Sequence, residues 1–409
     1  MVTTSLAKSK IKILLLEGVH QSAVITLRKA GYTNIEYIND ALPEEELIGK
    51  ITDVHIVGIR SRSQLTETVF QAARKLVAVG CFGIGTNQVD LAAATRRGVA
   101  VFNAPFSNSR SVAELVLGEI IMLFRGIPER NAAAHRGLWM KNAKNSTEVR
   151  GKKLGIIGYG SIGTQVSVLA ECLGMEVFFY DVVSKLPIGK AVQLPTIEEL
   201  LRHCDVISLH VPEAPETLNM IGADQLKQMK SGSILINASR GTVVDIEGLV
   251  NALRNKKILG AAVDVFPVEP KSNSDEFISP LRDFDNVILT PHIGGSTVEA
   301  QENIGIEVAE KLATYSDNGT TTSSVNFPEV SLPSHPGQHR LLHVHENIPG
   351  VMSEVNAIFS EIGINICSQY LRSNETIGYV VIDVNNEYSL VALEKLRSVK
   401  GILKCRILF

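Results

Sequence analysis

The chain has 409 residues, 45% of them hydrophobic and 20% charged, with a net charge of −3. This is the composition of an ordinary folded protein of two or three domains, and it excludes the strongly basic face of a nucleic-acid binder. Five scattered cysteines, Cys81, Cys172, Cys204, Cys367 and Cys405, are odd in number and never in a CxxC spacing; they exclude a disulfide framework and a zinc site and point to a reducing, cytoplasmic compartment.

The opening run Ile11 to Glu17 is a buried strand too short for a signal peptide, and no stretch of about 18 apolar residues follows that would span a membrane. Strands expected at 11–17, 54–59, 76–80 and 99–102 alternate with helical stretches such as 20–31 and 65–74. Alternation of this kind builds a parallel sheet with helices on both faces. Arg60-Ser61-Arg62 follows the second strand. Residues two apart in extended chain point the same way, so two guanidiniums converge there. Gly83-Ile84-Gly85 is half of a nucleotide fingerprint without its third glycine or acidic partner; it is a turn whose amides suit a substrate carboxylate. Asn108 stands at the expected domain junction and is a candidate for hydrogen bonding to substrate. A helix over 109–125 leads into the next domain, and Lys141 on the loop beyond it is a weaker substrate candidate. The sole tryptophan, Trp139, lies on that loop and suits a subunit interface.

A second strand series, 153–158, 175–180, 205–211, 233–237, 258–264 and 286–290, predicts a second doubly wound sheet. Gly158-Tyr159-Gly160-Ser161-Ile162-Gly163 follows its first strand and opens a helix. Glycines there allow a tight turn and close backbone approach, and the helix N-terminus faces a pyrophosphate. Asp181 ends the next strand, 18 residues after Gly163. A carboxylate at that point accepts from ribose hydroxyls and repels a 2′-phosphate, which favours NAD over NADP. Three polar residues follow at later strand ends, where ligands of open α/β sheets gather. Arg240, in Ala238-Ser239-Arg240-Gly241, grips a carboxylate. His292, in Pro291-His292-Ile293-Gly294-Gly295, moves a proton near neutral pH. Glu269 raises the pKa of that histidine and fixes its tautomer. Asp264 ends the strand before Glu269 and either contacts the nicotinamide half of the cofactor or caps the chain. Ala238, Ser239 and Ile293 to Gly295 belong to the same cofactor-lining segments.

A helix over 296–315 returns the chain to the first domain, and a proline-containing stretch from Asn318 to Gln338 forms a linker. The expected domains are therefore 1–108 with 296–330 for substrate, 109–295 for cofactor, 331–338 as linker and 339–409 as a third module. Residues 339–409 run strand, helix, strand, strand, helix, strand, which is ferredoxin-like. A core of this size is small alone, so pairing with a copy of itself is expected.

The fingerprint, Ala238 to Thr242, Asp264 to Pro270 and Pro291 to Gly295 together resemble the D-isomer-specific 2-hydroxyacid dehydrogenases over residues 11–315. The resemblance implies a flavodoxin-like substrate domain and a Rossmann NAD domain. It makes His292 the acid/base, Glu269 its partner and Arg240 the substrate anchor. Residues 339–409 resemble an ACT module, and the whole chain resembles the short-form D-3-phosphoglycerate dehydrogenases that open serine synthesis. By that likeness the substrate is 3-phosphoglycerate, whose three negative charges suit Arg60, Arg62 and Arg240. L-serine is then the effector, held between paired modules by His345, Asn347 and, from the opposite module, Asn365. Two self-pairing surfaces close a homotetramer. Pro336 in the hinge departs from this picture by stiffening a linker that regulation bends. The rivals are a reductase of glyoxylate, hydroxypyruvate or 2-oxoglutarate, and a NAD-sensing scaffold similar to the C-terminal binding proteins, which lack an ACT module. Nothing in the sequence favours a metal.

Overall fold

The computed structural model describes residues 6–270, 272, 274–335, 338–385 and 389–408. The stiffening proline of the hinge, Pro336, lies outside the described residues. The described chain forms two compact units, 1–107 with 301–409, and 108–300. The helix Val298–Asn318 carries the chain from the second back to the first.

The first unit holds a five-stranded parallel sheet in the order Ile35–Tyr37, Ile13–Leu15, Ile56–Ile59, Ala78–Cys81, Ala100–Asn103. The edge strand Ile35–Tyr37 was not expected from sequence. It is only three residues long and half-buried throughout, so it leaves no apolar run to read. The order reverses between Ile13–Leu15 and Ile56–Ile59, and such a switch point is where the strands' carboxyl ends open a crevice for ligand.

The same unit carries the C-terminal module, an antiparallel sheet ordered Ile366–Ser373, Ile377–Val384, His339–Glu346, Ile402–Leu408. Its strand–helix order is the expected ferredoxin-like one. Both faces of this sheet are covered. Leu341, Val380 and Ile382 face the module's own helices Val351–Ile362 and Ser389–Ser398. Leu342, Val344, Tyr379 and Val381 join Val308, Leu312 and Phe327 in the core of the parallel-sheet domain. A small module thus completes its core on its neighbour in the chain. Arg340, fully buried, fixes the junction: its guanidinium pairs with Asp383 at 2.6 and 2.8 Å and donates to the carbonyls of Asn318 and Pro333. Every charge-assisted partner is supplied, which is the condition for burying such a pair.

The second unit holds a seven-stranded parallel sheet ordered Val287–Leu289, Ile258–Val263, Ser233–Asn237, Val206–Leu209, Lys153–Ile157, Glu176–Tyr180, Val192–Gln193. Its central strands are buried on both faces, as continuous apolar runs in a doubly wound sheet require. The order reverses between Lys153–Ile157 and Val206–Leu209.

Candidate active site

Lys153–Ile157 delivers the glycine fingerprint to the switch point of the second sheet. Gly158 has φ +92°, and a Cβ on it would meet the carbonyl oxygen of His210 at 2.3 Å; a Cβ on Gly163 would meet that of Gly158 at 2.2 Å. Both positions therefore exclude any side chain. A Cβ on Gly160 would meet nothing within 4 Å, so the backbone is open where the helix Ser161–Cys172 begins. Asp181 accepts from the Tyr159 N–H at 2.9 Å and the Val183 N–H at 3.1 Å, which fixes its carboxylate beside the fingerprint. Ser161 and Ile162, the next predicted contacts, form the first turn of that helix. The residues fit NAD: an anion-binding helix start, a side-chain-free approach and a carboxylate for the ribose.

The loops past the strands Ser233–Asn237, Ile258–Val263 and Val287–Leu289 bring Arg240, Glu269 and His292 together. His292 Nδ1 lies 2.9 and 3.1 Å from the two Glu269 oxygens, so Nδ1 carries the donated proton and Nε2 is left for substrate. The Phe266 N–H donates to Glu269 Oε1 at 3.1 Å. A Cβ on Gly241 would overlap the Phe266 carbonyl, at 2.0 to 2.1 Å, so the Arg240 turn closes on the Glu269 loop only because residue 241 is glycine. Hydrogen bonding to Glu269 raises the His292 pKa despite partial burial. Burial pulls Glu269 upward, but His292, the Phe266 N–H and the charge of Arg240 outweigh it and hold the carboxyl below its usual range. Ser239, buried, bonds to Asn237 through its N–H and hydroxyl, and its carbonyl accepts from Arg240 at 2.7 Å. Ala238 packs partly buried against the sheet core.

Asp264 caps the His292 loop. Its buried carboxylate accepts from Thr290 Oγ1 at 2.6 Å, the Ile293 N–H at 2.8 Å and the Gly294 N–H at 2.9 Å, and its carbonyl accepts from the His292 N–H at 2.9 Å. The amides of Ile293 and Gly294, two residues of the expected cofactor-lining segment, are thus held by Asp264. His292 itself has φ +54°, a left-handed backbone that a non-glycine residue holds only where surroundings enforce it. Asp264 supplies that enforcement. Asn108 begins this unit and lies against the same loop, since a Cβ on Gly295 would meet its Nδ2 at 2.2 Å. Lys141 is exposed on the loop after the helix Ile127–His135.

In the other unit, Arg60, Ser61 and Arg62 stand just past Ile56–Ile59, at the switch point of its sheet. The neighbouring Gly83 to Gly85 turn is held by Asn103 Nδ2 on the Ile84 carbonyl at 2.6 Å and by Gln88 Nε2 on that of Gly85 at 3.3 Å.

Residues 117–294 match the model of the D-isomer specific 2-hydroxyacid dehydrogenase NAD binding domain, and residues 341–404 match the AHAS small subunit-like ACT domain. The chain is 62% identical over 405 residues to the D-3-phosphoglycerate dehydrogenase of Haemophilus influenzae, covering 99% of each chain. It is 61% identical over 411 residues to that of Escherichia coli, covering 100% of each. The chain belongs to the D-3-phosphoglycerate dehydrogenases.

Among solved structures it is similar to the D-lactate dehydrogenase of Aquifex aeolicus complexed with NAD and lactic acid, at 26% identity and a TM-score of 0.66, covering 78% of this chain and 100% of the other. The chain is thus an NAD-dependent dehydrogenase with an ACT module. Among its described residues no helix is long and apolar enough to cross a membrane. In the ACT module, His345 ends the strand His339–Glu346 with its ring packed over Gly378, and burial lowers its pKa, keeping the imidazole neutral. Asn347 follows it and donates to the Asn374 carbonyl at 2.8 Å. Asn365 precedes Ile366–Ser373 at the opposite end of the sheet, since Ile366 pairs with Val384 and His345 with Gly378. One module therefore does not bring the three together; a strand of this length separates them by roughly 20 Å.

Among the described residues three buried carboxylates escaped the sequence reading: Asp383, already paired with Arg340, and Glu119 and Glu17. Glu119, on the helix Ser109–Phe124, is 1% exposed, and neither oxygen has a hydrogen-bond partner among the described residues. Burial and the nearby Asp264 raise its pKa to about 8. Glu17, 3% exposed, ends the first strand's apolar run. A charged residue closing such a run before a glycine is the one signal that marks it.

Proposed function

We propose that this dehydrogenase oxidises D-3-phosphoglycerate to 3-phosphohydroxypyruvate, the entry step of L-serine synthesis, in a reducing, cytoplasmic compartment. The observation that carries the chemistry is the His292–Glu269 pair at 2.9 Å within the electrostatic reach of Arg240. Arg240 pairs with the substrate carboxylate and orients C2. Neutral His292 takes the hydroxyl proton at Nε2, and Glu269 stabilises the imidazolium that results. In reduction the same imidazolium returns the proton. NAD supplies the two-electron acceptor, held by Gly158 to Gly163 and Asp181. Arg60 and Arg62 take the phosphate; their place at a switch point favours a phosphorylated acid over lactate.

The ACT module supports L-serine as effector. With His345 and Asn347 at one end of its sheet and Asn365 at the other, a complete site takes two modules, in keeping with a homotetramer. Initial rates of 3-phosphohydroxypyruvate reduction by NADH, with and without L-serine and beside 2-oxoglutarate and glyoxylate, test both parts. Preference for the phosphorylated acid with inhibition by serine is the expected result. Preference for an unphosphorylated acid overturns the substrate, and indifference to serine overturns the effector.

A further inference from the structure

Four consecutive backbone amides of the Arg60 loop point at one side chain. The N–H groups of Arg60 and Ser63 donate to Glu17 Oε1 at 3.1 and 2.8 Å, and those of Ser61 and Arg62 donate to Oε2 at 3.0 and 2.9 Å. Arg62 Nε lies 3.9 Å from Oε2. The Glu17 side chain is 1% exposed, whereas that of Arg62 is 51% exposed. A run of amides converging on one point is an anion-binding nest, and here the anion belongs to the protein.

The backbone around Glu17 shows that the carboxylate is what the position requires. Glu17 has φ +63° and Gly18 has φ +59°. Glycine adopts this left-handed conformation freely, while a side chain there costs about 1 kcal/mol or more. Glycine at 17 would relieve the strain and lose the carboxylate. Glu17 and Arg60 follow the two adjacent strands that flank the switch point, so a side chain leaving one strand end reaches the loop leaving the next.

We infer that Glu17 is the positioning residue for the phosphate subsite: its carboxylate fills the nest of residues 60–63 and so turns Arg60 and Arg62, rather than backbone amides, toward the substrate's phosphate. The inference rests on the assignment of Arg60 and Arg62 to that phosphate. With the nest occupied, a phosphate meets guanidinium groups, whose planar donors can also release it; with the nest empty, the loop has four unpaired amides and no fixed shape.

The test is a double-mutant cycle between Glu17→Gln and the pair Arg60→Ala/Arg62→Ala in the full-length protein. Kinetics with 3-phosphohydroxypyruvate and NADH are read beside thermal melting. An amide oxygen cannot serve four donors, so Glu17→Gln should raise the KM for the phosphorylated acid about tenfold or more, with kcat within about threefold and the KM for NADH within about twofold. In the Arg60→Ala/Arg62→Ala background the same change should cost less than about twofold, because its route to substrate is gone. Glu17→Asp, which keeps the charge and shortens the reach, carries the same cycle should Glu17→Gln not fold. A full, additive loss in the arginine-free background, or a fall in kcat with an unchanged KM for the phosphorylated acid, overturns the inference and leaves Glu17 as general scaffolding. An unchanged KM in Arg60→Ala/Arg62→Ala overturns the phosphate assignment and the inference with it, and is told apart by that variant alone.

Discussion

The two parallel sheets each reverse strand order once, and the two switch points are used in opposite ways. In the cofactor unit the crevice is kept clear of side chains: a Cβ on Gly158 or Gly163 would overlap backbone oxygens, and Gly160 is open. Its helix N-terminus is left for a ligand's pyrophosphate. In the other unit the crevice is filled from within, because Glu17 occupies the amides of residues 60–63. Rigid backbone donors suit a pyrophosphate, whose geometry is fixed. Exposed guanidiniums set by a buried anion suit the phosphate that we assign to Arg60 and Arg62. The His292 loop repeats the second device within the cofactor unit: Asp264 sets the loop, and an exposed side chain is presented for the chemistry we propose.

The sharpest way to break this comparison is at the exposed side chains themselves. His292→Ala should lower turnover by roughly 10² to 10⁴ while NADH binding, followed by fluorescence, stays within a factor of a few. An unchanged turnover would remove His292 from the chemistry. Next in size is the anchor beneath it. Asp264→Asn keeps the shape of the carboxylate, yet its amide nitrogen cannot accept from Ile293 or Gly294. With the left-handed His292 released, turnover should fall about 10²-fold and melting should drop as charge-assisted bonds are lost. A drop in melting alone, with turnover kept, would make Asp264 an ordinary cap.

Much of this was legible because steric necessity writes itself into residue identity. Only glycine fits at 158, 163 and 241, so the fingerprint and the Arg240-Gly241 pair stand out in the sequence. Arg240, Glu269 and His292 are chemically distinctive and follow predictable strand ends. The anchors were less legible because what they hold is backbone. Asp264 was noticed as a residue but its partners are amides at 293 and 294, and amides carry no side-chain signature. Glu17 was passed over for the same reason: residues 60–63 would donate the same four N–H groups whatever their side chains. The strand Ile35–Tyr37 was missed because an edge strand of three half-buried residues has neither length nor alternation.

A smaller effect sharpens the role of the histidine's partner. Glu269 raises the His292 pKa, and oxidation requires the neutral imidazole, so the oxidative rate should fall as pH drops through that raised value. Glu269→Gln removes the raising charge. The acidic limb of oxidation and the alkaline limb of reduction should both move to lower pH, and reduction on the alkaline side should lose about tenfold for each unit of displacement. pH–rate profiles in both directions check this; unmoved limbs would mean that Glu269 orients His292 without tuning it.

The smallest effect concerns the carboxylate that anchors nothing. Glu119 is buried like Asp264 and Glu17, yet no N–H group among the described residues meets it, and its pKa stands at about 8. A carboxyl raised in the folded state holds its proton more tightly there than in the unfolded chain. Its stability relative to an uncharged residue is therefore fully present below its unfolded pKa and is lost as pH rises through about 8. Glu119→Gln cannot ionise and escapes that loss. The variant's advantage in thermal melting should grow by on the order of 2 kcal/mol between about pH 6 and pH 9. Melting curves that run parallel in pH would show that Glu119 has found a partner, and would place it with Asp264 and Glu17 among the anchoring acids. A widening gap would show that burial alone does not make an anchor; what distinguishes Asp264 and Glu17 is the row of amides each one holds.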